Sequence, residues 1–303
     1  MRIKQSSKKN ILVVGSGRWA GEIVKELLKF LNPQRIFILQ SQKHSIQFKN
    51  KFKINFLFSL KNLKKKQISH AVICNKTQDH YKFFNQIKNY RVKILIEKPL
   101  TDNSRHNNLI YKFARNQKNS FFISSQFYFS NFFWKVKKIL STKNIQVSKI
   151  NIVWHDKKNE YRKGIKKKHN FKIRYIIDSF YHIYSIINVI LSGKNKKILK
   201  DFSKKNGLQE FFYKKIKFVI SVSRNKKKRI RIINIFSKDK IKLLKIDFSS
   251  SKPIIRYKKK IIYDKKDECL VEQLKSFVLS KRNLSRISLE KNGELLQNLK
   301  KIN

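Results

Sequence analysis

Three short stretches of this sequence combine residue types that chemistry needs. The first is Gly15-Ser16-Gly17-Arg18-Trp19-Ala20, directly after an apolar run. Glycines at this spacing, followed by a small residue, permit a tight turn, let a pyrophosphate approach the backbone, and let helix pack on strand. The phosphates then sit on the positive end of a helix dipole. Three of the chain's seven glycines fall within residues 15–21. A tight turn without a ligand is the plainer alternative. The second stretch is Glu97-Lys98-Pro99-Leu100, where the proline biases Lys98 towards an extended backbone. Taken alone, Lys98 is one lysine among many. The third is Asp178 with His182, four apart, and so on one face of a helix. Arg174, Tyr175 and Ser185 share that face, and Ile176, Phe180, Ile183, Ile187 and Ile190 lie opposite. A carboxylate one turn from an imidazole can orient it and tune its pKa for general acid/base work. By itself the pair is equally an exposed contact worth about 0.3 kcal/mol.

The elements that must position these groups alternate over the first 125 residues. Ile11 to Val14, Ile36 to Leu39, Ile54 to Phe58, Ala71 to Cys74, Val92 to Ile96 and Phe121 to Ser125 read as strands. Ala20, Ile23, Val24, Leu27, Leu28 and Leu31 follow a helical period, and helices near 60–66, 78–88 and 105–116 fill the gaps. Such alternation predicts a doubly wound parallel sheet of the Rossmann kind, an α/β fold. After residue 126 the rhythm changes. A helix near 130–141, a strand near 145–155, a basic loop 157–172 and a helix near 174–192 precede strands at 209–223, 229–236, 240–248 and 254–263. Successive strands without intervening helices predict an α+β domain with a mainly antiparallel, open sheet. Helices at 266–280 and 287–301 close the chain and are expected to pack back on the first domain. The expected division is thus 1–125, dinucleotide-binding, and 126–303, substrate-binding and oligomerisation.

Composition narrows the class. The chain has 303 residues, 73 Lys plus Arg against 18 Asp plus Glu, and a formal net charge of +55. At 41% hydrophobic it is too apolar for a disordered polycation. No apolar run approaches a membrane span, and the amino-terminal run is too short for a signal peptide. Two distant cysteines, Cys74 and Cys269, exclude a disulfide framework and a zinc ribbon. A cytoplasmic setting and no metal are expected. The charge invites a nucleic-acid reading. Abundant Lys, Ile, Asn and Phe with scarce Gly, Pro and Ala also fit a strongly A/T-biased genome. Lysines scattered over all elements argue against specific nucleic-acid readout.

The end of the second strand reads Leu39-Gln40-Ser41-Gln42-Lys43-His44, with no carboxylate for a ribose 2′-hydroxyl. Ser41 and Lys43 suit a 2′-phosphate, so NADP(H) is preferred over NAD(H).

The glycine turn, the lone Glu-Lys-Pro and the Asp-x-x-x-His of a second domain together resemble the Gfo/Idh/MocA oxidoreductase family over nearly the whole chain. Ala71 to His80 is similar to that family's fourth strand and turn, where a Thr-Pro pair usually occupies the positions of Asn75 and Lys76. Leu191-Ser192-Gly193 resembles the family's ending for the catalytic helix. The resemblance implies that Gly15, Ser16, Gly17, Arg18, Trp19 and Ala20 hold a pyrophosphate. Asn75, Lys76 and His80 would line the cofactor near its ribose and nicotinamide, with Glu97 and Pro99 flanking Lys98. Lys98 would bind the reacting oxygen or nitrogen and relay a proton. His182 would be the main acid/base, and Asp178 would bind substrate and orient it. Gln126, Tyr175, Arg174 and His155 are substrate candidates. The second domain's sheet would serve a homodimer or homotetramer. Two departures stand out: Phe180 replaces a usual glycine, and Phe171 to Tyr175 replaces a glycine-rich run. The polar stretch Trp154-His155-Asp156 with Glu160 to Gly164 either shapes the pocket or is a surface loop. The expected partner is a small molecule, with no specific nucleic acid and no membrane. The alternative is a non-catalytic dinucleotide-sensing regulator of the same fold, against which retention of Lys98, Asp178 and His182 argues.

Overall fold

The structure, a computed structural model, describes residues 9–39, 50–117, 120–159, 161–162, 165–166, 175–191, 208–213, 215–250, 252–279 and 287–288. They form two compact units. The first holds the described residues up to Phe129, together with Cys269–Leu279 and residues 287–288; the second runs from Ser130 to Glu268.

The first unit is built in chain order from β1 (Asn10–Val14), α1 (Arg18–Leu27), β2 (Ile36–Leu39), β3 (Asn55–Leu57), β4 (Ile68–Ile73), α2 (His80–Ile87), β5 (Lys93–Ile96), α3 (Ser104–Asn116) and β6 (Phe121–Ile123). All six strands pair in parallel, in the order β3-β2-β1-β4-β5-β6. This is the doubly wound order of a dinucleotide fold, whose ligand crevice lies at the carboxyl ends of the strands where the winding reverses, here between β1 and β4. Strands buried on both faces need continuous apolar runs, and Ile11 to Val14 and Ala71 to Ile73 are each at most 1% exposed. Helix α1 buries Ala20, Ile23, Val24 and Leu27, spaced for one face. The stretch expected as a helix at 60–66 is only a short 3-10 turn, Leu60–Leu63, begun by the Ser59 side chain. A run this short, with its lysines exposed, has too little apolar face to sustain an α-helix.

The second unit contains α4 (Asn131–Thr142), β7 (Val147–Lys157), β8 (Tyr161–Arg162), β9 (Ile165–Lys166), α5 (Tyr175–Leu191), β10 (Leu208–Tyr213), β11 (Ile216–Lys226), β12 (Ile230–Ser237), β13 (Lys242–Asp247), β14 (Ile254–Tyr257) and β15 (Lys260–Tyr263). Its main sheet is ordered β10-β11-β7-β12-β13-β14-β15. Every pair is antiparallel except β7 with β11, whose connection carries α5. One face is core: Ile150, Ile152, Trp154, Phe218, Ile220, Val222, Ile233, Ile235, Leu244 and Ile246 are buried at alternate positions.

Two expected strands each prove to be hairpins. The run 209–223 divides at Tyr213 and Ile216, and 254–263 divides at Tyr257 and Lys260. The reason is turn chemistry carried by unusual residues. Lys258 and Lys259 both have positive φ, 45° and 70°, and Lys215 has φ 66°. Two-residue hairpins of this kind normally select Asn-Gly, and lysine in their place conceals the turn. Within the loop expected at 157–172, β8 and β9 pair as a small hairpin.

The last described helix, α6 (Cys269–Leu279), belongs to the first unit. It buries Val271, Gln273, Leu274, Phe277 and Val278. Phe277 packs edge-on against Phe122 and His70, with centroids 5.8 and 5.0 Å apart. Each such apolar side chain contributes roughly 1.5–3 kcal/mol. Residues 287–288, expected to begin a second closing helix, instead bridge to β6: Ile123 N–H donates to Ile287 O at 2.9 Å, and Phe122 bridges Ser288. The unpaired edge of β6 takes that backbone. The remainder of 289–301 lies outside the described residues.

Candidate active site

In the first unit the chemistry gathers where the theory of open sheets puts it. Gly15 ends β1 with φ +137°, a conformation that side chains rarely adopt. A Cβ on it would lie 3.0 Å from Asn75 N and 3.1 Å from Cys74 C. The turn after β1 therefore lies directly against the end of β4. Gly17 differs. Its φ is −78°, and a Cβ there would meet nothing within 4 Å. No neighbour among the described residues demands glycine at that position.

Gly17 is the N-cap of α1, with no side-chain cap and no acidic residue in the first turn. The first helical bond runs from Gly21 N–H to Gly17 O, 3.1 Å. The amides of Arg18, Trp19 and Ala20 therefore have no acceptor within the helix. Ser16 is half-buried, Gly17 and Arg18 are exposed, Trp19 is half-buried and Ala20 is buried.

The ends of β4 and β5 face the same turn. Among the described residues, both polar atoms of the Asn75 side chain, Trp19 Nε1 and Glu97 Oε1 are buried without a hydrogen-bond partner. Each such atom costs about 1–3 kcal/mol unless a ligand or water satisfies it. Glu97 is buried, which pushes its carboxyl up; Ser124, the nearby Trp19 indole, the Lys98 charge and the Lys98 backbone amide pull it back. Burial, aided by Glu97, also raises the Cys74 thiol. Lys98 is half-buried, Pro99 is buried, and the peptide between them is cis.

His80 is buried at the start of α2. Its Nδ1 lies 3.0 Å from Leu100 O and its Nε2 3.2 Å from Asn75 O. Burial lowers its pKa, opposed by those carbonyls. A neutral imidazole donates only once. His80 therefore donates to one of these two carbonyls at a time, and it stands between the loop after β4 and the loop after Pro99 with both ring nitrogens turned to main chain. Lys76 is exposed and Gln126 half-buried.

In the second unit α5 carries Asp178 in its first turn and His182 one turn later. Asp178 Oδ2 accepts from Arg224 Nη2 at 2.6 Å. The His182 ring stacks on Trp154, centroids 5.3 Å apart and planes at 23°. The Arg231 guanidinium lies 3.8 Å from the Trp154 ring centre and donates to Asp156 Oδ1 at 2.6 Å. Arg224, Trp154 with Asp156, and Arg231 come from β11, β7 and β12, which are adjacent in the sheet.

Two expectations change here. Ser185 shares the Asp178 face but is fully buried, its hydroxyl donating to His182 O at 2.8 Å. Helix α5 packs against α4 and β11, so this face closes after its first turns. His155 does not join His182. It alternates with Trp154 and Asp156 along β7 and so points from the other face of the sheet, where Nε2 lies 2.8 Å from Ser221 Oγ. Ser41, Lys43, Glu160, Lys163, Gly164, Phe171 to Arg174, Ser192, Gly193 and the Tyr175 side chain lie outside the described residues. Among the described residues no group of three His, Cys, Asp or Glu could hold a metal, and no helix is long and apolar enough to cross a membrane. Cys74 and Cys269 are not joined in a disulfide.

Residues 9–125 match the family profile described as an oxidoreductase family with an NAD-binding Rossmann fold. This stretch belongs to the Gfo/Idh/MocA family. The Gfo/Idh/MocA match stops at residue 125, but similarity of fold continues. The chain is similar in structure to an oxidoreductase from Thermotoga maritima, with 15% identity, a TM-score of 0.74 and 97% and 96% of the two chains covered. It is similar to the dehydrogenase MviM from Clostridium difficile, at 14%, 0.70, 97% and 98%. It is also similar to UDP-N-acetylglucosamine 3-dehydrogenase GnnA from Acidithiobacillus ferrooxidans, at 12%, 0.67, 96% and 95%. No curated protein matches the chain in sequence. The Gfo/Idh/MocA family and these structural relatives are oxidoreductases and dehydrogenases.

The first unit's residues fit the dinucleotide that a Gfo/Idh/MocA domain holds. The open cradle at Gly17 and the free amides of α1 suit a pyrophosphate. The orphaned atoms of Asn75, Trp19 and Glu97 suit the polar rims of ribose and carboxamide. Sequence reasoning missed Arg224 and Arg231. A signal existed: three of the chain's 14 arginines fall within residues 224–231, in a chain whose cations are mostly lysine. Arginine's planar fork suits paired carboxylates better than lysine does.

Proposed function

We propose that the chain is a nicotinamide-dependent oxidoreductase that takes NADP(H) in preference to NAD(H). Its substrate is a small metabolite (a sugar, a cyclitol or a natural-product intermediate) reacting at a carbinol, carbonyl or imine carbon. The observation that carries this reading is the open, uncapped start of α1 at Gly17, beside four buried polar atoms that lack partners among the described residues. When bound, a nicotinamide cofactor supplies or takes the hydride. Lys98 holds the reacting oxygen or nitrogen and favours its negative charge. In the oxidising direction the substrate hydroxyl proton passes to an imidazole nitrogen of His182 as the hydride leaves carbon; in reduction that proton returns. Asp178, held by Arg224, keeps its carboxylate one helical turn from His182 and orients the ring. The working form is a homodimer or homotetramer.

The test is a titration with NADPH and, separately, NADH, followed by nicotinamide fluorescence at high salt to suppress adsorption to this basic chain. Tight NADPH binding with weak NADH binding is expected. A screen of sugars, cyclitols and nucleotide sugars then follows, with Lys98→Ala and His182→Ala controls. Each control is expected to bind NADPH normally but turn over substrate about 100-fold or more slower. Binding of neither cofactor defeats the proposal. Cofactor binding with no turnover on any candidate moves the reading to a dinucleotide sensor.

A further inference from the structure

We propose that Trp154 is a positioning residue for His182: its indole face fixes the plane of the imidazole, and the Arg231–Asp156 pair fixes the indole. The proposal rests on the reading above that His182 is the acid/base, and it names what holds that ring.

An imidazole on a helix turns about two side-chain torsions, and the second is broad. A carboxylate one helical turn away addresses a nitrogen at the ring's edge, and the ring can still swing about that bond. A flat partner on the ring's face removes this freedom. Trp154 is such a partner: the two rings stack at 5.3 Å with 23° between their planes. Stacking uses the face of the imidazole and makes no demand on the edge, where both nitrogens lie. His182 is half-buried and Trp154 is buried, so the indole is the fixed surface of the pair.

The indole is itself held. Arg231 is the cross-strand partner of Trp154 in the antiparallel pairing of β12 with β7, so the two side chains rise side by side from one face of the sheet. At 3.8 Å from the ring centre the guanidinium lies over the indole face. Asp156 is two residues along β7 and so on that same face, and it accepts from the guanidinium at 2.6 Å. Both members of this ion pair are buried. Phe248 closes a further side of the indole, edge-on with centroids 5.6 Å apart. Arginine suits the task because its planar fork can stack and hydrogen-bond at once. Asp156 answers the Arg231 charge, so the indole gains a rigid neighbour with no net charge added beside an imidazole that must gain and lose a proton. An indole face also attracts cations, and so favours the protonated ring over the neutral one. One stack thus holds the plane of His182 and supports the form that carries the proton taken from substrate.

The test is NMR of the full chain labelled with carbon-13 in its histidine rings, titrated with pH, with thermal melts of each variant. The His182 signal is identified by its loss in His182→Gln. Among the described residues the charged groups around this ring are Asp178 on α5, Arg224 on β11, Asp156 on β7, Arg231 on β12 and Arg229 just before it; α4 buries only apolar side chains. In wild type the Hε1 proton of His182, held over an indole face, is expected upfield of its place in an unstructured histidine. Trp154→Phe narrows the face and is expected to reduce that displacement. Trp154→Leu keeps the site apolar without a π face, and is expected to abolish the displacement and lower the His182 titration midpoint by about half a unit to one unit. Arg231→Met combined with Asp156→Asn removes the ion pair at constant net charge. It is expected to reduce the displacement with Trp154 still in place, because the indole comes loose. A tryptophan that merely fills the core lowers the melting temperature when replaced, yet leaves the position and midpoint of the His182 signal at their wild-type values; that result overturns the proposal. A wild-type His182 signal with no upfield displacement, the mark of a ring that turns about its torsions, overturns it too. If Trp154→Leu does not fold, an unchanged His182 signal in Trp154→Phe overturns it alone. Failure of the acid/base reading shows separately, as His182→Ala that turns over substrate at the wild-type rate.

Discussion

Alanine at Gly15 and alanine at Gly17 separate the two tasks of the glycine turn. At Gly15 the backbone has φ +137°, and the new Cβ would press on three backbone atoms of Cys74 and Asn75 at 3.0–3.1 Å. Conformational strain of this kind costs about 1–3 kcal/mol. The contacted atoms are main chain at the end of β4 and cannot swing away, so β1 or β4 must shift, adding about 1–3 kcal/mol. A total near 3 kcal/mol lowers the melting temperature of a chain this size by roughly 5 °C. At Gly17 the φ of −78° suits alanine, and the Cβ meets nothing within 4 Å. Loss of a glycine N-cap and gain of unfolded-state rigidity nearly offset, leaving stability within about 1 kcal/mol of wild type. The same Cβ occupies the space through which a pyrophosphate would reach the amides of α1. Overpacking of about 1–3 kcal/mol there weakens NADPH binding roughly 5–150-fold. The assay is a thermal or urea melt of each apoprotein, with an NADPH fluorescence titration. Gly17→Ala that melts and binds like wild type refutes the cradle. Gly15→Ala as stable as wild type refutes the strained turn.

Other consequences can be measured directly. Burial, with the charges of Lys9 and Lys93, holds His70 at about 3 against an ordinary 6.5. The folded state then binds fewer protons than the unfolded chain below pH 6.5. Stability from this group is whole above pH 6.5 and falls as pH drops towards 3, by about 2 kcal/mol between pH 7 and 5. Buried His80 and half-buried His155 act in the same direction. His70→Gln is expected to flatten this dependence in urea unfolding at the two pH values; an equal loss in variant and wild type contradicts it. Arg231→Met leaves Asp156 buried without its guanidinium and is expected to cost about 3–5 kcal/mol, with part recovered by adding Asp156→Asn. A loss below about 1 kcal/mol in chemical denaturation would show that water already screens the pair.

Some of this protein is settled within a few residues of each position. The apolar run of β1, the helical period of α1 and the spacing from Asp178 to His182 are local properties of the backbone, and local periodicity reports them directly. The parallel order β3-β2-β1-β4-β5-β6 follows from alternation together with right-handed crossovers. Gly15 and Gly17 are visible as a motif, yet only contact with Asn75 tells that the first is required by the fold while the second is left open. Two hairpins stayed hidden because Lys215, Lys258 and Lys259 take the left-handed conformation that glycine or asparagine usually advertises.

The charged partners of the second unit were decided by register. Arg224 meets Asp178 across 46 residues, and Arg231 meets Asp156 across 75. Nothing in the spacing selects those arginines from so many cations; the pairing of β11 and β12 with β7 does. Strand parity alone could not assign His155, because the period of two says that neighbours point oppositely but not which face holds the core. Only the packing of α5 over Trp154 fixes that, and it sends His155 away from His182. Gln273 is the furthest case, since α6 reaches Ser124 only after the chain has built the whole second unit and returned. Local chemistry is written in neighbouring residues, whereas a contact between distant ones exists only once topology and register have closed the loop between them.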